Sequence, residues 1–215
     1  MRISAFAMIA LTLGLAQPAQ AGPVSFASGW QEQRLSLFSS NDYSFGQTLG
    51  LQSDGSVSIA WTRVGRENWD ADRASWNWTV EQSVPQTDLS RKGGDDRNIS
   101  LYFVFVPESV APSLEGANIR NLLGNSDVRI IQYAFGGNHG RGQVIPSPYG
   151  PSGQGVTIAL RQAGTGSFSE NVDLSADYAR AFGGEKGALI GLAVSGDSDD
   201  TDSKIRAALG NLVLN

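Results

Sequence analysis

Apolar residues recur at every second position along most of this chain, and that spacing covers one face of a strand but not one face of a helix. Tyr43, Phe45, Leu49 and Leu51 share one parity. Beyond Asp54-Gly55, a dipeptide that favours tight hairpin turns, Val57, Ile59 and Trp61 alternate in the same way. Residues 43–63 are therefore expected to form a β-hairpin. Trp76, Trp78 and Val80 alternate with Ser75, Asn77 and Thr79, while Ile99 to Val106 is apolar almost throughout, as a central strand covered on both faces would be. Val128 to Phe135, Val156 to Leu160, Leu189 to Val194 and Leu209 to Leu214 bring the set to roughly eight to ten strands.

Helix is scarce. Ser175 to Phe182 is the best candidate, with Asp173 or Ser175 to cap its start and Gly183-Gly184 to end it. A second short helix is expected around Glu115 to Leu123, bounded by Pro112 and Gly124. Many strands with one or two short helices predict an all-β fold: a two-sheet antiparallel sandwich, jelly-roll or galactose-binding-like, with a closed barrel as the alternative.

The chain starts with Met1-Arg2, continues through an apolar run from Ile3 to Ala16, and reaches small residues around Ala19 and Ala21. That order predicts a signal peptide over residues 1–21 and a single β-sandwich domain over 22–215, periplasmic or secreted. The apolar run is shorter than the roughly 20 residues a membrane-spanning helix needs, so no membrane insertion is expected after cleavage. Without any cysteine, the chain can form no disulfide and carry no lipid-modified cysteine. Its net charge of −5 and the lack of any Lys/Arg cluster argue against nucleic acid as a partner. With 26 glycines and 40% hydrophobic residues, the composition suits a turn-rich globular fold.

Several segments together carry a resemblance. Ser75-Trp-Asn-Trp-Thr-Val80 is followed by Lys92-Gly-Gly-Asp-Asp-Arg97 leading into Leu101-Tyr-Phe-Val-Phe105. Gly142-Gln-Val-Ile-Pro146, Asp177-Tyr-Ala-Arg-Ala-Phe-Gly183, Gly191-Leu-Ala-Val194 and Asp197-Ser-Asp-Asp-Thr201 then follow in order. Over about residues 57–215 the chain resembles the bacterial DUF3047 family. Where related proteins carry a Trp-Ser-Asn type loop, this chain has Gly136-Gly-Asn-His-Gly140. The resemblance implies a secreted β protein. Its Asp-x-Asp-x-Thr ending is similar to the endings of galactose-binding-like and carbohydrate-binding sandwiches.

Candidate site residues fall into three groups. Asp197, Asp199, Asp200 and Asp202 offer the clustered carboxylates that calcium requires, or else form a solvated turn in which Asp side chains bond nearby backbone N–H groups. Asp95, Asp96 and Arg97 precede the most apolar strand and either brace its start or contact a ligand at a sheet end. Asn138 and Arg141 add hydrogen-bonding groups, while Trp30 and Trp69, in less periodic surroundings, are candidates for exposed stacking on a sugar ring. Trp61, Trp76 and Trp78 read as core.

His139, the only histidine, lacks the companion ligands of a zinc site and the Gly-x-Ser-x-Gly elbow of a serine hydrolase. The sequence therefore favours a non-catalytic module binding a glycan or other polar ligand. A polysaccharide-acting enzyme using carboxylates such as Glu81, Asp95 or Asp199, and an envelope protein-interaction component, are the alternatives.

Overall fold

The computed structural model describes residues 22–35, 39–149 and 151–215, so the expected signal peptide lies outside the described residues. In chain order the early strands are β1 (Gly22–Pro23), β2 (Gln31–Arg34), β3 (Asp42–Phe45), β4 (Thr48–Asp54), β5 (Val57–Arg63) and β6 (Arg73–Gln82). After β7 (Arg97–Val106) come the short helices α1 (Ala111–Leu114) and α2 (Ile119–Leu123). The chain continues as β8 (Arg129–Gly136), β9 (Val144–Pro146), β10 (Gly155–Arg161) and β11 (Gly166–Asp173). Helix α3 (Leu174–Phe182) leads into β12 (Ala188–Asp197) and β13 (Lys204–Leu214).

Two sheets face one another. One has the order β11-β6-β13-β4-β3, with β1 also paired to β13, and the other has the order β2-β5-β12-β7-β8-β10-β9. The fold is the expected all-β sandwich. One pairing departs from purely antiparallel order: β10 runs parallel to β8, because the chain first goes out to β9 on the sheet edge and returns antiparallel to it.

The alternating patterns interlock between the sheets. Trp76 and Trp78 of β6 meet edge to face with centroids 5.4 Å apart, Trp76 lies 6.1 Å from Phe103 of β7, and Trp78 lies 5.7 Å from Phe135 of β8. Such tilted and edge-on contacts suit the aromatic quadrupole as well as burying area. Helix α3 follows its sequence signals closely, with Asp173 accepting from the Ala176 backbone N–H at 2.9 Å and Gly183 leaving the helix at φ 78°.

The expected 43–63 hairpin does not form. β3 and β4 make the hairpin instead, while β4 and β5 belong to different sheets. Leu49 and Leu51 enter the core from one side, Ser58 and Ala60 from the other. The chain turns this corner beside a buried hydroxyl cluster in which Ser53 Oγ lies 2.9 Å from Ser56 Oγ and 2.7 Å from Ser198 Oγ. Val57, Ile59 and Trp61 therefore point outward from the seven-stranded sheet, and the small residues between them point inward. No helix among the described residues is long and apolar enough to cross a membrane.

Phe103 is fully buried between Trp76 and Tyr133. Its replacement by Ala should cost about 3–5 kcal/mol of unfolding free energy in a urea titration, with an unchanged m-value. A loss below about 1 kcal/mol would contradict this packing.

Candidate functional site

The outer face of the seven-stranded sheet is covered at both ends, by Leu89 over Ala134 and Ala159 at one and by the helices after β7 at the other. There Ala111 of α1 and Leu122 of α2 form a cluster with Val106, Val128, Ala188 and Ile190. Between the two ends the sheet floors a cleft of about 540 Å³, walled by Leu89, Ser147 to Tyr149, and Asp199 to Asp200. This volume lies within the range typical of small-ligand sites.

Outward-facing polar side chains interrupt apolar strands across this face. Tyr102 Oη of β7 lies 2.8 Å from Ser195 Oγ of β12. Gln132 of β8 donates to Ser100 Oγ at 2.9 Å and accepts from Thr157 Oγ1 of β10 at 3.2 Å.

Arg97 sits at the polar end of the cleft, with its side chain only 10% exposed. Its Nη1 donates to the Asp95 backbone carbonyl at 2.9 Å, to Asp95 Oδ2 at 3.1 Å and to Asp197 Oδ2 at 3.0 Å. Its Nη2 donates to Tyr102 Oη at 3.0 Å. Burial works against the guanidinium charge, but Tyr102, Asp197 and Asp95 more than offset it and raise the Arg97 pKa further. Tyr149, at the rim, donates to Asp95 Oδ1 at 2.7 Å.

Backbone irregularities aim this side chain. The register of β7 against β8 shifts between Arg97 and Ile99, and that of β12 against β7 shifts between Ser195 and Asp197. Bulges of this kind re-aim side chains at sheet ends. Gly136 pairs with Arg97 across β8, and a Cβ there would stand 2.6 Å from Arg97 Cβ, so only glycine lets the two strands close around the guanidinium.

Asp197 is a partner of this arginine. Burial is the main cause that pushes its carboxyl up to about 8; the Asp199 carboxylate acts in the same direction, and Arg97 pulls against both. Among the described residues, Asp197 Oδ1 and Arg97 Nε are buried without hydrogen-bond partners. Unmet polar atoms of this kind are uncommon in folded proteins, and each calls for a structural or chemical explanation.

The carboxylates that converge for a cation are Asp96, Asp199 and Asp200, with one oxygen of each within 4.8 Å of the others. Asp202 is not part of this group; it lies in the turn toward Gly55. Asp96 is itself fully buried and holds the 200–201 turn, accepting from the Thr201 backbone N–H at 2.8 Å, the Thr201 hydroxyl and the Asp200 N–H at 3.3 Å.

The other expected residues stand apart from the cleft lining. Asn138 is exposed and its backbone carbonyl accepts from Gln162, while Arg141 pairs at 2.9 Å with Glu170, a fully buried carboxylate also held by Arg161. Trp30 and Trp69 are half-buried, each donating its indole N–H to a backbone carbonyl, Ser25 and Val64 respectively. Glu81 pairs with Arg206. His139 lies against Asp88 at 3.4 Å. Conversely, Tyr102, Gln132, Tyr149 and Thr157 join Arg97 and Asp95 in the cleft unannounced. Three of these four carried a signal: each is a polar group at the outward parity of an otherwise apolar strand.

The raised Asp197 carboxyl makes stability pH-dependent in a definite direction. Its neutral form favours the fold, so this contribution is fully present below the ordinary value of 3.8 and is lost as pH rises through about 8. In buffer with chelator, the melting temperature of Asp197→Asn relative to the parent should rise steadily from about pH 4 to about pH 8 and then level off. A difference that stays constant over that range would contradict the assignment.

No curated protein sequence matches the chain. Among solved structures, the xyloglucanase domain of NopAA, a type three effector from Sinorhizobium fredii solved with cellobiose, is similar at 10% identity and TM-score 0.46, over 91% of this chain and 97% of that one. A cleaved adhesin domain of Lys-gingipain from Porphyromonas gingivalis is similar at 9% identity and TM-score 0.37, over 88% and 92%. The sequence itself matches a family described as protein of unknown function over residues 28–213, and the chain accordingly belongs to the DUF3047 family.

Proposed function

We propose that this is a binding module that holds a hydroxyl-rich ligand, in the first instance a glycan segment, in the cleft on the outer sheet face. One observation carries the reading: a cleft of ligand size whose mostly apolar floor is interrupted by the Asp95–Arg97–Asp197 cluster and the side chains of Tyr102, Gln132, Tyr149 and Thr157. Sites for small molecules have this composition, with few polar groups at fixed positions on an apolar surface. Tyr149, 45% exposed at the rim with the Lys92 ammonium 5.4 Å from its ring centroid, supplies aromatic surface for a pyranose ring. Export to the periplasm or the medium fits the charged, then apolar, then small-residue start of the chain.

A second reading is favoured by Asp197. A carboxyl that burial pushes up to about 8, beside the exposed carboxylate of Asp199, can carry a proton near neutral pH as a general acid must, so glycan cleavage is the alternative.

Thermal melting against neutral β-glucan, xylan and mannan oligosaccharides tests both, because a ligand bound only by the folded state raises the melting temperature. The expected result is a rise with one class that disappears in Tyr149→Ala, measured against that variant's own ligand-free melting temperature. Release of new reducing ends from that oligosaccharide, lost in Asp197→Asn, would favour the enzyme. No shift with any of them would reject the glycan reading.

A further inference from the structure

The cleft does not end at the polar cluster. Ile59, Tyr102 and Ile130 line it and also line a second cavity of about 70 Å³. Ile119 and Leu122 of α2 form one wall of that cavity, and Trp61 of β5 and Ala193 of β12 form the facing sheet surface. Its walls are almost wholly apolar, in contrast to the end occupied by Arg97. The sequence prepares this contrast, since Val57, Ile59 and Trp61 lie on the outward parity of β5, the reverse of what a sandwich strand with a solvated outer face would show.

The charge at the polar end is equally one-sided. Asp95, Asp197, Asp199 and Asp200 line it, and among the described residues Arg97 is the one cation in the lining. That guanidinium is already engaged by Asp95, Asp197 and Tyr102. Even with Asp197 neutral and the Lys92 ammonium 5.4 Å from the Tyr149 ring at the rim, Asp95, Asp199 and Asp200 leave net negative charge there, and like-charge juxtaposition selects against a phosphate, sulfate or carboxylate. Apolar voids, for their part, forgo packing contacts that an incoming alkyl group would restore.

We propose that the ligand is amphiphilic, with a polar head bearing no negative charge at the Arg97 end and an apolar group seated between α2 and the sheet. This rests on the cleft being the binding site and names the chemical class of its ligand. The head uses the hydroxyls and carboxylates around Arg97 and Tyr149. The tail runs over Ile59 and Ile130 toward Leu122 and Ala193.

Calorimetric titration with glucose and with butyl, hexyl and octyl β-glucoside, kept below their micelle concentrations, tests this directly. Affinity should tighten by about threefold to fourfold per methylene over the first few carbons and then level off. Ala193→Phe, which fills the cavity from the sheet side, should abolish the rise. Leu122→Ala, which enlarges the cavity, should extend it to longer chains and provides a second variant should the first fail to fold. Octyl sulfate should bind at least tenfold more weakly than octyl glucoside.

Affinity independent of chain length, absence of octyl glucoside binding, or equal binding of the sulfate would overturn the proposal. If an oligosaccharide still raises the melting temperature of the parent but not of Tyr149→Ala, the binding-module reading survives that failure. If it does not, both fall.

Discussion

An arginine buried at the end of a β-sheet must be surrounded by acceptors, and the arrangement around Arg97 follows from that requirement. Removing a guanidinium from water costs several kcal/mol unless carboxylates and hydrogen bonds replace its hydration. Here the replacement comes from Asp95 just before β7, Tyr102 further along it and Asp197 at the end of β12, while Gly136, without a side chain, lets β8 approach the root of the Arg97 side chain. Tyr149 extends the network to the rim through Asp95. The loops before β7 and after β12, together with the 147–149 loop, are thereby tied to one charge. A buried ion group of this kind is weak evidence for stability, but it fixes geometry, and a fixed geometry is what a binding cleft needs.

The two faces of the seven-stranded sheet divide the remaining work. Its inner face supplies the large apolar residues Leu101, Phe103, Tyr133 and Phe135 to the common core. Its outer face is unusual for a sandwich in carrying Ile59, Trp61 and Ile130 together with Tyr102, Gln132 and Thr157. The helical excursion after β7 covers the apolar end of that face, Leu89 covers Ala134 and Ala159, and the cleft lies open between them. Fold and site are therefore connected: the β7–β8 connection walls the apolar cavity that adjoins the cleft through Ile59, Tyr102 and Ile130.

Much of the fold was legible in the sequence because strand periodicity is local. Trp76 and Trp78, the run from Ile99 to Val106, and the capped helix from Leu174 to Phe182 all lie where their patterns place them. The 43–63 hairpin failed because Asp54-Gly55 signals a turn without specifying whether the chain stays in one sheet. What decided it was that Ser58 and Ala60 face the opposing sheet while Ile59 and Trp61 face outward, where Trp61 is buried against Ile119 and Ala193. Arg97, Asp95 and Asp197 were identifiable as charged residues at strand ends, yet their meeting depends on the pairing of β7 with β12, about a hundred residues apart. Trp30 and Trp69 looked available for stacking, but their indole N–H groups are tied to nearby backbone carbonyls, which no spacing shows.

The central claim is that the buried Arg97 group organises the cleft loops without being needed to hold the core. Amide hydrogen exchange on Arg97→Met, which keeps much of the side-chain volume and removes the charge, tests it most directly. The account predicts faster exchange confined to residues 93–96, 147–149 and 197–201, with protection in β4, β6 and β13 unchanged. Unchanged exchange in those loops, or loss of protection spread evenly through both sheets, would contradict it.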